Sequence, residues 1–317
     1  MNAVLVVGAG ITGGYIAARL FEHGLDVDLL ARGEPAVRLA QAGVRLRDGI
    51  TGEARTVRLP IVPEASIVSG DRKYAVVLVC VQEKQRVAAA ELVSRLQGRP
   101  VVWFLGNTVR GFEELGRVLG HDRVLGGFPG VGGKWEGGEL VYADRRTPEG
   151  RPFHYLVIGE AWPDGREACR RAQGIIGAAG FRVRRYQPID AWQLCHAVLV
   201  LPLAGLFYLH GGVLGAAAAD RHGLRKVVRA VAEGLGGLRR LGYPLRPRWM
   251  LLMAISPTWL GVRQLSGLLG SHFAEIALAG HAQAARDEMR TMARELLYLL
   301  EETEGDSLRE MLEAVVK

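Results

Sequence analysis

The first half of the chain alternates short apolar runs with segments of helical periodicity. Continuous aliphatic runs are typical of strands that are covered on both faces in a parallel sheet, with the helical segments as crossover connections. The predicted strands are residues 3–7, 27–30, 74–81, 100–105, 123–128 and 181–186, and the predicted helices are residues 11–21, 86–97 and 165–179. This pattern predicts an α/β domain built around a parallel sheet.

Two further pairs of runs predict hairpins inserted into this domain. Residues 44–47 and 54–62 flank Asp48-Gly49, a strong tight-turn pattern. Residues 139–143 and 153–158 form the second pair, with a loop over residues 144–151 between them.

The second half changes character at Pro188, after which helical periodicity is broken only by Gly and Pro and no strand is predicted. We therefore expect two domains, with residues 1–187 forming the α/β domain and residues 188–317 an all-helical domain for substrate binding and dimerisation. Residues 197–219 carry no formal charge and are long enough to cross a bilayer, but Pro202 and Gly205 interrupt them. We predict a buried helix there, and no membrane partner.

Composition places the chain among ordinary globular proteins, because 49% of its residues are hydrophobic and 23% are charged. The three cysteines lie far apart in the sequence and the N-terminus has no signal-peptide pattern, so we expect a cytoplasmic protein without a disulfide framework. His272 and Glu275 have the spacing of a helical metal pair, but no third ligand accompanies them and we expect no metal.

The net charge of +7 is carried largely by arginine, which provides 35 of the 40 basic residues. Guanidinium groups bind phosphate and carboxylate in a bidentate manner, so this composition suits an anionic ligand. Nucleic acid is the competing partner, but the arginines form no run and no aromatic and basic stacking motif accompanies them. We expect a small-molecule partner and no nucleic acid.

A glycine motif lies between the first predicted strand and the first predicted helix. Its residues are Gly8, Ala9, Gly10, Ile11, Thr12 and Gly13. In the G-x-G-x-x-G pattern the first glycine permits a tight turn, the second admits a diphosphate, and the third allows close packing of helix on strand. The amide groups at the helix N-terminus then face the anion. We predict a Rossmann-type dinucleotide site formed by these six residues.

The end of the second predicted strand indicates which dinucleotide is bound. A site selective for NAD presents an acidic side chain to the ribose 2′-hydroxyl, whereas Asp28 lies too early here, inside the strand. Ala31 and Arg32 follow, and an arginine at this point pairs with the 2′-phosphate of NADP. The sequence predicts NADP as cofactor, with a plain surface role for Arg32 as the alternative.

Two further strand ends carry polar side chains. Asn107 follows the fourth predicted strand, and Gln82 and Lys84 follow the third. Ligands of open parallel sheets bind beyond the carboxyl ends of the strands, so Asn107 and Gln82 are candidates for contacting the cofactor. A structural role for Asn107 in forming a turn is an equally good explanation, because asparagine is common in turns.

The order of these motifs resembles that of the ketopantoate reductase family over roughly residues 1–300. The resemblance rests on the glycine motif, Arg32, the Asn107 loop, Asp190-Ala191-Trp192 and Glu275-Ile276. It implies a Rossmann domain followed by a helical domain, NADPH-dependent reduction of a 2-oxo acid, and an active site in the cleft between the domains. By the same resemblance Asn107 contacts cofactor and substrate, Gly132 lines the nicotinamide side, and Glu275 lies at the active site near the cofactor.

One departure from the family affects the chemistry. The family's proton-donating lysine stands two residues beyond the tryptophan, where this chain has Leu194; alignment on Pro202 places Gln193 there instead. His196 is the nearest titratable replacement, with an ordinary pKa suited to acid catalysis. Two residues turn a helix by about 200°, which favours a structural histidine as the alternative.

These observations predict an NADPH-dependent reductase of a small 2-oxo acid or of a related carbonyl or imine compound. Its expected catalytic residues are His196, Glu275 and Asn107. The alternative is a catalytically silent NADPH-binding sensor that has lost its proton donor. A homodimer formed through the helical domain is also expected.

Overall fold

The computed structural model describes residues 3–144, 154–279, 285–302 and 305–317. Contacts divide the chain into two compact units. The first, here called the α/β unit, comprises Met1–Gly106 and Phe112–Ile189; the second, the helical unit, comprises Asn107–Gly111 and Asp190–Lys317. The division falls two residues beyond the boundary expected at residue 187, and Asn107–Gly111, placed in the α/β domain by the sequence, group with the helices.

The α/β unit is built on an eight-stranded sheet in the order β12-β11-β8-β7-β6-β1-β2-β5. Its strands are β1 Val4–Val7, β2 Val27–Leu30, β5 Ile61–Val62, β6 Val76–Val79, β7 Val101–Leu105, β8 Val124–Pro129, β11 Tyr155–Glu160 and β12 Arg182–Arg185. Six neighbouring strands of this sheet, β5, β2, β1, β6, β7 and β8, run parallel to one another. Their order is that of a Rossmann sheet, so the predicted fold of this unit is confirmed.

Helices cover the faces of this sheet, since β1, β6 and β7 are buried along their whole length. The helices are α1 Ile11–Glu22, α2 Gly33–Ala42, α3 Glu64–Ser69, α4 Arg86–Ser94, α5 Glu113–Leu119 and α6 Arg166–Ala178. The predicted helices beginning near residues 11, 86 and 165 correspond to α1, α4 and α6.

A separate four-stranded sheet has the order β4-β3-β10-β9, formed by β3 Val44–Asp48, β4 Ala54–Val57, β9 Val131–Glu136 and β10 Glu139–Asp144. The first predicted hairpin is present as β3 and β4, although its second run ends at Val57. Residues 61–62 join the main sheet as β5 instead.

The second predicted hairpin is wrong. Strand β10 pairs with β9 in the small sheet, whereas β11 pairs with β8 in the main sheet. The local hairpin is β9–β10 because Gly137 and Gly138, both at positive φ, supply the turn. The loop predicted over residues 144–151 lies outside the described residues beyond Asp144.

A buried polar cluster links α1 to β10. The Tyr15 hydroxyl donates to the Asp144 carboxylate at 2.6 Å and lies 2.7 Å from His154 Nδ1. Arg19 approaches His154 Nε2 at 2.6 Å. Because a guanidinium only donates, Nε2 is the acceptor and Nδ1 carries the proton. Burial and Asp144 raise the pKa of Tyr15 well above its ordinary value, so its hydroxyl remains a donor.

The helical unit has its own core, and its described residues contain no strand. Its helices are α7 Ile189–Leu209, α8 Leu214–Ala219, α9 Arg221–Arg240, α10 Met250–Ile255, α11 Thr258–Leu269, the short His272–Ala274 continued by π-helical Glu275–Ala279, and finally Arg286–Leu300 and Asp306–Val316. Only α7, among the described helices, is apolar and long enough to cross a membrane, and 67% of its most apolar stretch is buried. A mostly buried helix of this kind is typical of a protein core.

Candidate functional site

The glycine turn after β1 is packed too closely for side chains at two of its three glycines. Gly8 has φ +103°, and a Cβ there would lie 2.7 Å from the Cys80 carbonyl oxygen. A Cβ on Gly13 would lie 1.8 Å from the Gly8 carbonyl oxygen. These contacts bring α1 close against the end of β1, as the first and third glycines of the motif require.

Gly10 differs from both, because no atom lies within 4 Å of a Cβ placed on it. It is exposed and precedes α1, whose N-terminus has no side-chain cap and no acidic residue in its first turn. Ala9, Ile11 and Thr12 are half-buried beside it. Open space in front of uncapped helical amides is an arrangement that binds an anion such as a diphosphate.

The glycine turn lies at the point where the strand order reverses. The chain leaves β1 toward β2 on one side, and β6 pairs with β1 on the other. Gln82, half-buried, follows β6 at the start of a short 3₁₀ turn, Glu83–Gln85. Open α/β sheets bind ligands at this reversal, beyond the carboxyl ends of the strands. The structure therefore places Gly8–Gly13 and Gln82 at one edge of one sheet.

The acidic residue of β2 is already engaged. Asp28 is buried and accepts a hydrogen bond from the Tyr74 hydroxyl at 2.6 Å and an ion pair from Arg72 Nε at 2.7 Å. Burial and Asp28 together raise the pKa of Tyr74 above its ordinary value. The Asp28 carboxylate is thus bound by Tyr74 and Arg72 of the α/β unit.

Arg32, by contrast, lies two residues beyond β2, immediately before α2, with a largely exposed side chain. Its side chain is 60% exposed and its Nη2 lies 2.7 Å from the carboxylate of Glu64, which is 39% exposed. Arg95 approaches the same carboxylate at 3.7 Å. An exposed pair of this kind contributes about 0–1 kcal/mol, so a phosphate can displace Glu64 from Arg32.

Gly132 lies in β9 of the small sheet, directly opposite Ala143 of β10. The three predicted catalytic residues, Asn107, His196 and Glu275, belong to the helical unit. The other predicted site residues belong to the α/β unit: Gly8–Gly13, Arg32, Gln82 and Gly132.

Asn107 begins the Asn107–Gly111 loop, which three contacts attach to the helical unit. Val109 packs against the helical core, Arg110 forms an ion pair with Glu295, and Gly111 lies against Asp190, whose Oδ1 is 3.6 Å from a Cβ placed on Gly111. The Asn107 side chain is buried, and its Oδ1 has no hydrogen-bond partner among the residues that the structure describes. A ligand group that donates a hydrogen bond would satisfy that oxygen.

Asp190 is the functional candidate that the sequence analysis did not identify. It lies in the first turn of α7, and its Oδ1 is buried without a hydrogen-bond partner in the described part of the chain. Burial raises the pKa of Asp190 to about 6. An aspartate at a helix start is ordinarily a favourable first-turn residue, and only its burial in the fold distinguishes it from one.

Other residues of α7 occupy different environments. Leu194 is buried in the helical core, and Gln193 is buried as well. The His196 ring stacks on Trp192, with centroids 5.0 Å apart and planes inclined by 13°. Neither of the two positions that align with the family's lysine therefore presents a charged group.

Glu275 lies at the start of the π-helical segment with an exposed side chain. Its carboxylate is 3.1 Å from His272 Nδ1, three residues earlier. Among residues 3–144, 154–279, 285–302 and 305–317 there is no group of three or more His, Cys, Asp or Glu side chains placed to hold a metal ion.

The fold and the glycine turn define a class of protein, a Rossmann α/β unit joined to a helical unit, with the turn shaped for a dinucleotide. Residues 4–148 match the family described as "Ketopantoate reductase PanE/ApbA". The chain thus carries a domain of the ketopantoate reductase family, and the family predicted from the motifs is confirmed. Members of that family are oxidoreductases.

Several known proteins are similar to larger parts of the chain. An "uncharacterized oxidoreductase YkpB" of Bacillus subtilis is 25% identical over 248 residues, 77% of each chain. A ketopantoate reductase of Ralstonia eutropha has a TM-score of 0.74 at 18% identity, over 99% of this chain and 97% of that one. A D-mandelate dehydrogenase solved with NADH and anilino(oxo)acetate has a TM-score of 0.77 at 12% identity, with the same coverage. These structural similarities confirm the predicted two-part fold.

Proposed function

We propose that this protein is an NADPH-dependent reductase that transfers a hydride to a small 2-oxo acid or to a related carbonyl or imine compound. When bound, the nicotinamide supplies the hydride. The protein's own residues bind the diphosphate at Gly8–Gly13, orient the ribose end through Arg32 and Gln82, and accept a hydrogen bond on Asn107. The family assignment and the D-mandelate dehydrogenase solved with NADH and an oxo acid support this proposal.

The observation that carries the proposal is the contrast among the three glycines. Gly8 and Gly13 are enclosed by backbone, whereas Gly10 faces open space in front of the α1 N-terminus. A turn needed only for packing has no reason to keep an exposed glycine where any residue fits, since Gly10 has φ −71°. A diphosphate that approaches the backbone does supply such a reason.

A second candidate function is a silent NADPH-binding sensor, favoured by the apolar surroundings of Leu194. The two functions differ in turnover. We expect NADPH to be oxidised by the purified protein in the presence of at least one member of a panel of 2-oxo acids, ketones and cyclic imines. Asn107→Ala should abolish this oxidation, and the exposed Glu167→Gln should leave it unchanged. NADPH binding without turnover of any compound would establish the sensor instead.

Cofactor preference provides a further prediction. Arg32→Ala should weaken NADPH binding about ten- to a hundredfold with little effect on NADH, because a charge-assisted pair contributes about 1.5–3 kcal/mol. Glu64→Gln should tighten NADPH binding severalfold, since it removes the carboxylate that competes for Arg32. Isothermal titration with both cofactors measures the two effects. Equal NADPH affinity in Arg32→Ala and the native chain would remove Arg32 from the site.

We also propose that the protein is a cytoplasmic homodimer formed through α10 and α11. Residues 249–262 carry no formal charge, and four of their large side chains are between 51% and 79% exposed. These are Trp249, Leu252, Ile255 and Trp259. Together they present on the order of 500 Å² of apolar surface, a large part of the roughly 800 Å² that a standard interface buries on each partner. A second copy of this chain fits this surface, because a twofold axis packs the same apolar side chains of the two copies against each other and needs no complementary charges.

The dimer should sediment at twice 34.5 kDa. Ile255→Glu and Trp259→Glu should each produce monomers, because an unpaired carboxylate would be buried at the interface. The exposed Tyr298→Glu, on the helix Arg286–Leu300, serves as the control and should remain dimeric. Native protein that sediments as a monomer and binds lipid vesicles would assign the surface to a membrane instead.

A further inference from the structure

We propose that the carboxyl group of Asp190 donates the proton that the carbonyl oxygen of the substrate receives during reduction. This inference rests on the proposed function and names the group that takes over the role of the absent lysine. It is carried by the position of Asp190 on α7, by its unsatisfied buried oxygen and by the loop that it contacts.

Asp190 lies one helical turn before the lysine position in either alignment. It precedes Leu194 by four residues and Gln193 by three, and residues at both spacings share one face of a helix. His196 is six residues beyond Asp190, about 120° away around the helix. Its ring is also engaged in stacking on Trp192. Measured from Leu194, Asp190 is therefore the titratable residue of α7 nearest to the face on which the family carries its donor. Measured from Gln193, Asp190 and His196 are equally near, three residues to either side, and it is the His196 ring that is stacked on Trp192.

The carboxyl group of Asp190 has one oxygen whose hydrogen bond the described residues do not supply. Asp190 Oδ1 is buried and has no hydrogen-bond partner in the described residues, and the same is true of Asn107 Oδ1. Asn107 and Gly111 belong to one five-residue loop, and Gly111 packs against the Asp190 carboxyl group. One unsatisfied oxygen thus lies on this loop and the other on the residue that the loop contacts, whereas buried oxygens are ordinarily hydrogen-bonded.

No cation near Asp190 among the described residues is shown to stabilise its ionised form, so its carboxyl group can remain protonated. The loop that packs against it carries Arg110, whose guanidinium is paired with Glu295 of the helix Arg286–Leu300. On α7 itself the other titratable groups are Cys195, His196 and Tyr208. Burial accounts for the raised pKa of Asp190, with no charged neighbour contributing to it. A carboxyl group with a pKa of about 6 retains a proton to donate at mildly acidic to neutral pH.

The reduction delivers one hydride and one proton to the carbonyl group of the substrate. The hydride from NADPH adds to the carbonyl carbon, and the electron pair of the C=O π bond moves to oxygen. That oxygen takes the proton of the Asp190 carboxyl group, so the oxo acid becomes a hydroxy acid and NADPH becomes NADP⁺. The Asp190 carboxylate then regains a proton from water.

Steady-state kinetics with the 2-oxo acid most rapidly reduced by the native protein tests this role. Asp190→Asn should lower kcat by about a hundredfold or more while leaving the Kd for NADPH unchanged. In the native protein kcat should fall about tenfold per pH unit above pH 6, and this fall should disappear in Asp190→Asn. Asp190→Glu should restore part of the rate together with the pH dependence. The exposed Asp287→Asn is the matched control and should behave as native.

A second readout uses the protein without cofactor. Carbon-13 NMR of labelled aspartates should show one carboxyl group titrating near pH 6, and that signal should be absent from Asp190→Asn. A rate and pH profile unchanged in Asp190→Asn, or a pH dependence that is lost in His196→Asn instead, would overturn the assignment while leaving the reductase intact. No turnover by the native protein of any compound would refute both the proposed function and this role.

Discussion

Gly13→Ala and Gly10→Ala should differ in their effect on stability although both add one methyl group to the same turn. In Gly13→Ala the methyl carbon would lie 1.8 Å from the Gly8 carbonyl oxygen, so α1 must move away from β1. We expect the free energy of unfolding to fall by about 3 kcal/mol or more, at the upper end for overpacking, since the obstructing atom is backbone. NADPH binding should be lost at the same time.

In Gly10→Ala the added carbon meets no protein atom within 4 Å, and the backbone at Gly10 suits any residue. Stability should change by less than about 1 kcal/mol, the scale of an N-cap substitution. NADPH binding should nevertheless weaken at least tenfold, because the methyl group occupies the approach of the diphosphate. Urea unfolding and calorimetric titration of both variants measure these quantities. Native affinity in a folded Gly10→Ala would show that no diphosphate lies at this turn.

The sequence predicted the parts of the fold that depend on local patterns. The run Val4–Val7 is a strand and Ile11–Glu22 a helix because apolar runs and glycine turns fix them over a few residues. The glycine motif was found for the same reason. In Arg286–Leu300, Met289, Met292, Leu296 and Leu300 lie at helical spacing and are buried.

Strand pairing was less predictable, because a partner strand is chosen by contacts distant in sequence. Strand β9 was not predicted at all, since its Val131-Gly132-Gly133 start has little strand propensity. Without it, β10 was paired with the wrong neighbour. Residues 61–62 join β2 across more than thirty residues, and nothing local to them indicates this.

The candidate site, like the fold, was predictable where it depends on a local pattern and not where it depends on contacts distant in sequence. The predicted nucleotide site rests on one contiguous motif, which is visible without the fold. The attachment of the Asn107–Gly111 loop depends on Arg110 meeting Glu295 and on Gly111 meeting Asp190, and such contacts are created only by folding. Burial likewise turns Asp190 from an ordinary first-turn residue into a candidate acid, so the sequence contained the residue but not its environment.

Replacing Asp190 by asparagine should make the protein more stable at pH 8. The pKa of Asp190 is raised to about 6 in the folded chain, against about 3.9 in an unfolded one. Below pH 4 the group is protonated in both states and contributes no difference. Between pH 4 and 6 the unfolded state ionises first, so the folded state binds more protons and stability falls as pH rises.

Above pH 6 this penalty is complete and amounts to about 2–3 kcal/mol, which a neutral asparagine does not incur. Unfolding by urea should therefore show Asp190→Asn to be more stable than native at pH 8, with the gain vanishing toward pH 4. The exposed Asp287→Asn should show no such gain. Because a residue kept only for structure has no reason to retain a destabilising charge, a gain confined to high pH together with lost turnover assigns Asp190 to function. A loss of stability at pH 8 would make Asp190 a structural residue of the α7 N-terminus.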